Sequence, residues 1–250
     1  MTASLENKVA LVTGAAGGLG RAIAAALRDA GARLALADLD ADGLASAAQR
    51  LGSAETFAVD LTDDDRSSDL PARVHERLGS IDIVVNNAGA RPITSLLETS
   101  PEQWHSTLGV NLTAPFLICR SAIPYMLEQG RGKIVNIASI AGLTGFTNRS
   151  AYCSAKAGLV MLTRAIAMEF GGRGIWCNAI APGFVETPMT ASYFQTPRML
   201  DSIKACAPMQ RWGQPPEIAE PVAFLAGSGS DYINGATLPV DGGWTAGKDF

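Results

Sequence analysis

The uninterrupted apolar run Val9-Ala10-Leu11-Val12, followed at once by a glycine-rich turn and an alanine-rich stretch, restricts the fold more than any other feature of this chain. A strand with one wet face alternates polar and apolar residues, whereas an unbroken run reads as a strand buried on both faces of a parallel sheet. The turn Thr13-Gly14-Ala15-Ala16-Gly17-Gly18-Leu19-Gly20 opens a good helix former, residues 21–27, which stops at Ala30-Gly31. Parallel strands need crossover connections, usually helices. The alternation recurs, with strands predicted at 33–37, 56–59, 81–85, 133–138, 175–180 and 237–240 and helical patterns between most of them. The class is therefore α/β: a doubly wound sheet of seven mainly parallel strands, helices on both faces, in one domain over residues 1–250.

Such sheets bind ligands at the carboxyl ends of their strands. Gly14, Asp38, Asp60, Asn87 and Ser139 all fall at predicted strand ends. A glycine turn leading into a helix lets backbone N–H groups and the positive helix end approach a pyrophosphate, although Gly14, Gly18 and Gly20 depart from the usual GxGxxG spacing. Asp38 closes the second strand, where a carboxylate accepts from the adenosine ribose and repels a 2′-phosphate. NAD is favoured over NADP on that ground.

Tyr152 and Lys156 stand four residues apart in Ala151-Tyr152-Cys153-Ser154-Ala155-Lys156. On a helix this spacing puts them on one face, with Cβ atoms roughly 5–6 Å apart. A charge at that range is worth on the order of 3 kcal/mol at an effective dielectric of about 20. Lys156 is thus expected to lower the Tyr152 pKa by roughly two, making the phenol a usable acid or base.

Elsewhere, residues 101–129 read as one long helical pattern, kinked at Pro115 and Pro124. Residues 189–208 are expected to be irregular, a mobile lid over a site. Residues 215 onward begin a last helix, in which Pro221 is unusual. A net charge of −4 argues against a protein that binds nucleic acid by neutralising phosphates. Cys119, Cys153, Cys177 and Cys206 show no CxxC pairing and only two histidines accompany them, so no metal site is expected and all four read as reduced thiols. Met1-Thr2-Ala3 leads on without a basic leader, and no apolar run reaches membrane-spanning length. A cytoplasmic protein with a small-molecule partner, neither nucleic acid nor membrane, is the expectation.

Taken in order, these motifs resemble the short-chain dehydrogenase/reductase family over essentially the full length. Thr13-Gly14-x-x-x-Gly18-x-Gly20 is similar to that family's cofactor loop, and Asn86-Asn87-Ala88-Gly89 to its NNAG motif. The resemblance implies a Rossmann-type fold and assigns Asn111, Ser139, Tyr152 and Lys156 as the catalytic set. It implies a cofactor site of Gly14, Gly18, Leu19, Gly20, Asp38, Asp60 and Leu61 at the adenosine and phosphate end. At the nicotinamide end it implies Asn87, Ala88, Gly89, Tyr152, Lys156, Pro182, Gly183, Val185 and Thr187. No basic residue replaces Ala15 to Gly17 or follows Asp38, as in NADP-preferring relatives, so NAD remains the expected cofactor. By the same resemblance Tyr152 is the acid/base, Ser139 binds the substrate oxygen, and Lys156 lowers the Tyr152 pKa and holds the nicotinamide ribose. Asn111 supports a water chain.

The expected reaction is hydride transfer between a secondary alcohol, of sugar, sugar acid or polyol type, and its ketone. A 3-oxoacyl-(acyl-carrier-protein) reductase is the alternative, with Arg131 and Arg173 as candidates for carrier phosphate contacts. A non-catalytic nucleotide sensor is more remote, since such proteins usually lose the tyrosine or lysine. Arg91, Ala141, Phe146, Arg149, Met189 and Tyr193 flank the catalytic elements and are expected to line the substrate pocket. The resemblance also implies a homotetramer, for which Leu159, Leu162 and Ile166 would offer an outer apolar stripe, although the same stripe would serve packing on the sheet.

Overall fold

The computed structural model describes residues 4–195 and 197–247. Met1–Ala3 and Thr196 of the expected lid lie outside the described residues. Seven strands, β1 (Val9–Thr13), β2 (Arg33–Asp38), β3 (Ala54–Ala58), β4 (Ile83–Asn86), β5 (Gly132–Ile137), β6 (Ile175–Pro182) and β7 (Thr237–Val240), form one sheet in the order β3-β2-β1-β4-β5-β6-β7. Every neighbouring pair is parallel. The order reverses direction at β1, with β2 on one side and β4 on the other, and this switch point opens a crevice at the strands' carboxyl ends.

The apolar run explains why β1 lies at the centre. Ala10 and Val12 pack into the core layer under α1 (Gly18–Asp29), α2 (Ala41–Leu51) and α9 (Pro215–Ala226). Val9 and Leu11 pack into the opposite layer, under α3 (Asp64–Leu78), α5 (Ala114–Glu128) and α6 (Ser150–Phe170). All five β1 residues are buried. The fourth strand starts later than its apolar pattern suggests because the Asp82 carboxylate accepts from the Val9 N–H at 2.9 Å and from Lys8 Nζ at 2.9 Å.

One buried polar chain crosses the second layer. Asn86 Nδ2 donates to Asn136 Oδ1 at 2.8 Å, Asn136 Nδ2 to Thr163 Oγ1 at 2.9 Å, and Thr163 Oγ1 to the Leu159 carbonyl at 2.8 Å. Buried polar groups are costly unless paired, so this chain fixes the position of α6 against β4 and β5.

Two expectations need correction, and the places of two further groups are now set. Residues 101–129 are two helices, α4 (Pro101–Leu108) and α5, joined by a π-helical turn, Gly109–Thr113; the departure from α geometry is at Asn111, and Pro115 falls harmlessly in the first turn of α5. Residues 189–208 are largely helical, with a 3-10 turn at Pro188–Thr190, α7 (Ala191–Phe194) and α8 (Pro197–Cys206). Leu159 and Ile166 are buried, 0% and 6% exposed; Ile166 packs into the core layer on the sheet, and Leu162 is partly buried against the same core. The exposed large apolar residues of α6 are instead Met161 and Met168. Arg131, finally, is held by Asp231 at 2.7 Å and lies over the Trp176 ring, at the amino edge of the sheet and away from the crevice. The buried Lys133 shares both partners, and Arg173 stands over Phe170. Among the described residues no helix is long and apolar enough to cross a membrane.

Candidate active site

A cleft of about 500 Å³ follows the carboxyl edge of the sheet across the switch point. At its floor the Thr13 hydroxyl accepts from the backbone N–H of Asn87 (3.0 Å) and Ala88 (3.1 Å). Asn87 Nδ2 returns bonds to the carbonyls of Thr13 and Gly14, at 2.9 and 3.1 Å. The NNAG segment therefore clamps the glycine turn to β4. The first turn of α1 has Gly17 at its N-cap, no side-chain cap and no acidic residue, leaving free N–H groups and a positive helix end toward the cleft. Gly14 has φ +66, and a Cβ on Gly20 would collide with the Gly14 carbonyl. These features fit the pyrophosphate of a dinucleotide. Gly20→Ala is expected to weaken NADH binding at least ~10-fold and to lower the unfolding free energy by ~1–3 kcal/mol, as overpacking does; fluorescence titration and thermal unfolding measure the two effects.

The expected adenosine-end residues Gly18, Leu19, Asp38, Asp60 and Leu61 all line the cleft. Asp38 Oδ2 accepts from the Ala16 N–H at 2.9 Å, fixing the carboxylate beside the glycine turn. The Thr62 N–H and hydroxyl hold the Asp60 carboxyl below the usual carboxylate range.

At the other end, Ala88, Gly89, Pro182, Gly183, Val185 and Thr187 line the cleft beside Asn111, Ser139, Tyr152 and Lys156. Ser139 follows β5, and its Oγ accepts from the Ala141 N–H at 3.1 Å. Tyr152 lies in the first turn of α6, where the helix end favours an anion. Lys156 is buried and donates to the Ile137 carbonyl at 2.8 Å, with Nζ 5.8 Å from the Tyr152 ring centre. Asn111 Nδ2 donates to the carbonyls of Ala90 (2.8 Å) and Thr107 (2.9 Å). Its Oδ1 is buried without a partner among the described residues and, like Lys156 Nζ, borders the space beside Gly89. A buried acceptor next to an ammonium is a site for a bridging water.

The electrostatics differ from the expectation. Burial pushes Tyr152 above the ordinary tyrosine value, opposed by the Ser139 hydrogen bond and by the charges of Arg91 and Arg149. Burial also lowers Lys156 to about 8. In the free protein the ammonium is therefore lost before the phenol ionises, and the two arginines are the cations that face the phenolate. The sequence spacing gave the right neighbour but not its burial.

All six expected substrate-side residues, Arg91, Ala141, Phe146, Arg149, Met189 and Tyr193, do line the cleft. Sequence reasoning missed an aromatic wall behind them. Phe184 packs on Phe146, Tyr193 and Trp244 with ring centres 6.3, 5.7 and 4.9 Å apart. Phe184 directly follows Pro182-Gly183 and was findable from that motif. Nothing local in the sequence signals that Trp244 returns to the same place.

The matching family model is described as enoyl-(acyl carrier protein) reductase and covers residues 14–245. The 2-(R)-hydroxypropyl-CoM dehydrogenase of Xanthobacter autotrophicus is 40% identical, over 96% of this chain and 99% of the relative. The D-threitol dehydrogenase of Mycolicibacterium smegmatis is 41% identical, over 96% and 94%. A solved structure described as a putative NAD(P)-dependent gluconate 5-dehydrogenase from Beutenbergia cavernae, with NADP bound at low occupancy, superimposes with a TM-score of 0.93 at 38% identity, covering 98% of this chain and 99% of that one. The chain belongs to the short-chain dehydrogenase/reductase family. It is a nicotinamide-dependent oxidoreductase of the CH–OH/C=O type.

Proposed function

We propose that the protein interconverts a secondary alcohol and its ketone with NAD, and that Tyr152 is the acid/base. The observation that carries this reading is the convergence of Ser139, Tyr152, Lys156 and Asn111 at one end of a cleft whose other end presents Asp38. When bound, the dinucleotide supplies a hydride acceptor or donor at its nicotinamide. The chain's own residues do the rest. Ser139 donates to the reacting oxygen and stabilises charge that develops there. Tyr152 takes the hydroxyl proton during oxidation and returns it during reduction. Lys156 holds the ribose next to the nicotinamide, and a water between Lys156 Nζ and Asn111 Oδ1 begins the proton's path to solvent. The segment from Pro188 through α8 acts as a lid that excludes water. Assembly as a homotetramer would cover Phe116, Met161 and Met168, all exposed on α5 and α6.

The relatives' names, with hydroxypropyl-CoM, threitol and gluconate in them, support a small polar secondary alcohol. Steady-state kinetics with NAD and NADP on sugar acids, polyols and acetoacetyl thioesters tests this. NAD is expected to exceed NADP at least ~10-fold in kcat/KM, because Asp38 repels a 2′-phosphate; Asp38→Ala with Leu39→Arg is expected to reverse the order. Preference for NADPH and a thioester would instead support the 3-oxoacyl reductase reading, to which a 36% identical relative, the 3-oxoacyl-[acyl-carrier-protein] reductase of Thermotoga maritima, lends weight.

A further inference from the structure

The catalytic end of the cleft has an unbalanced charge. Among the described residues, the only acidic side chains lining the cleft are Asp38 and Asp60, both at the adenosine end. Arg91 and Arg149 reach the opposite end from different loops, and both donate to one acceptor, the Tyr193 hydroxyl. The Arg91 guanidinium lies 4.5 Å from the centre of the Tyr193 ring and that of Arg149 5.8 Å. Their other bonds go to neutral carbonyls, Arg91 Nη2 to Met189 at 3.1 Å and Arg149 Nη1 to Thr147 at 2.9 Å. Arg91 Nε is buried and has no acceptor among the described residues. Elsewhere the protein does pair such groups, as Arg131 with Asp231 and Arg211 with Glu217 show.

Two guanidinium groups on one neutral oxygen repel each other, and burying them without a carboxylate is costly. Burial and the Arg149 charge both act on Arg91 to disfavour its protonated form. The surroundings intensify the effect, because the rings of Phe146, Phe184 and Tyr193 line this part of the cleft. A site like this is completed by an anion from outside.

We propose that Arg91 and Arg149 clamp an oxyanion, a carboxylate or a sulfonate, carried by the substrate a few bonds from its reacting hydroxyl. The clamp rests on the dehydrogenase reading above and narrows its substrate class to hydroxy acids with an apolar stem. Tyr193 lies on α7 in the lid, so an anion held by both arginines meets the phenol that closes over it. The reaction balances as before: the carbinol carbon loses a hydride to NAD, the hydroxyl proton goes to the Tyr152 phenolate, and the oxyanion is unchanged.

The experiment compares matched probes on the full chain with NAD: 3-hydroxybutyrate, 2-hydroxypropane-1-sulfonate and the neutral 3-hydroxybutanamide. At least one anion is expected to exceed the amide in kcat/KM by ~10²-fold, the scale of paired charge-assisted hydrogen bonds, and the ratio between the two anions identifies the preferred group. Arg149→Met is expected to reduce that preference to a few-fold, with Arg149→Lys retaining part of it. Equal use of anions and amide, or a preference unchanged in Arg149→Met, overturns the clamp while leaving the dehydrogenase reading intact. If none of the probes turns over, calorimetric titration of the protein–NADH complex with propionate and with ethanesulfonate still decides. Binding of either that Arg149→Met abolishes supports the clamp; no binding of either rejects it.

Discussion

Tyr152→Phe is expected to lower kcat for alcohol oxidation by ~10³-fold, within the range general acid–base groups contribute, while NADH binds within ~3-fold of its original affinity. The substitution removes one oxygen and keeps the ring. Ser139 remains to bind the substrate oxygen, and the residues that hold the dinucleotide along the rest of the cleft are untouched. Loss of turnover with retained binding separates a missing proton acceptor from a damaged fold, because a disordered α6 would also release Lys156 from the Ile137 carbonyl. Stopped-flow hydride transfer and fluorescence titration measure the two quantities. Unchanged turnover would remove Tyr152 from the mechanism and return the chain to the class of nucleotide-sensing proteins.

The parts legible in the sequence were those set by local pattern. The run at β1, the glycine turn and the polar strand ends defined the sheet and the cleft, since a strand buried on both faces leaves its functional side chains only at its end. The four-residue spacing placed Lys156 beside Tyr152 because helix geometry alone determines it. What was not legible depends on tertiary burial. The depth that lowers Lys156 to about 8 comes from β5, whose Ile137 carbonyl it meets. The Asn86–Asn136–Thr163 chain joins residues far apart in sequence, and the aromatic wall requires the C-terminal turn to fold back on the loop after β6. The inward face of Leu159 and Ile166 was ambiguous for the same reason: an apolar stripe fits a sheet and a subunit interface equally well, and only packing decides.

Burial of Lys156 leads to the second large effect, in which Lys156→Met is expected to impair catalysis and stabilise the fold together. Loss of the ammonium removes a ribose ligand and one end of the water bridge to Asn111, so kcat/KM should fall by ~10²-fold or more, comparable to removing one donor from a preorganised site. The stability effect has the opposite sign. Lys156 titrates at about 8 in the folded protein, below the value of about 10.4 for an unperturbed lysine. Between these two values the unfolded chain binds a proton that the folded chain does not, so stability rises with pH across that window. Below pH 8 the folded protein carries the full penalty of a buried ammonium, on the order of 3 kcal/mol for a shift of this size. Methionine removes that penalty and forfeits the hydrogen bond to the Ile137 carbonyl, worth ~1 kcal/mol. The net gain of ~2 kcal/mol corresponds to a Tm higher by ~4–8 °C at neutral pH for a chain of this size. That gain should fade as pH rises above 8, because the wild-type lysine then becomes neutral in place. Thermal unfolding of both proteins across that range is the measurement, and a Lys156→Met variant less stable than wild type at pH 7 would show that the lysine stabilises the fold. A gain would mean that the fold tolerates a buried cation at a cost in stability, with catalysis the reason it is there.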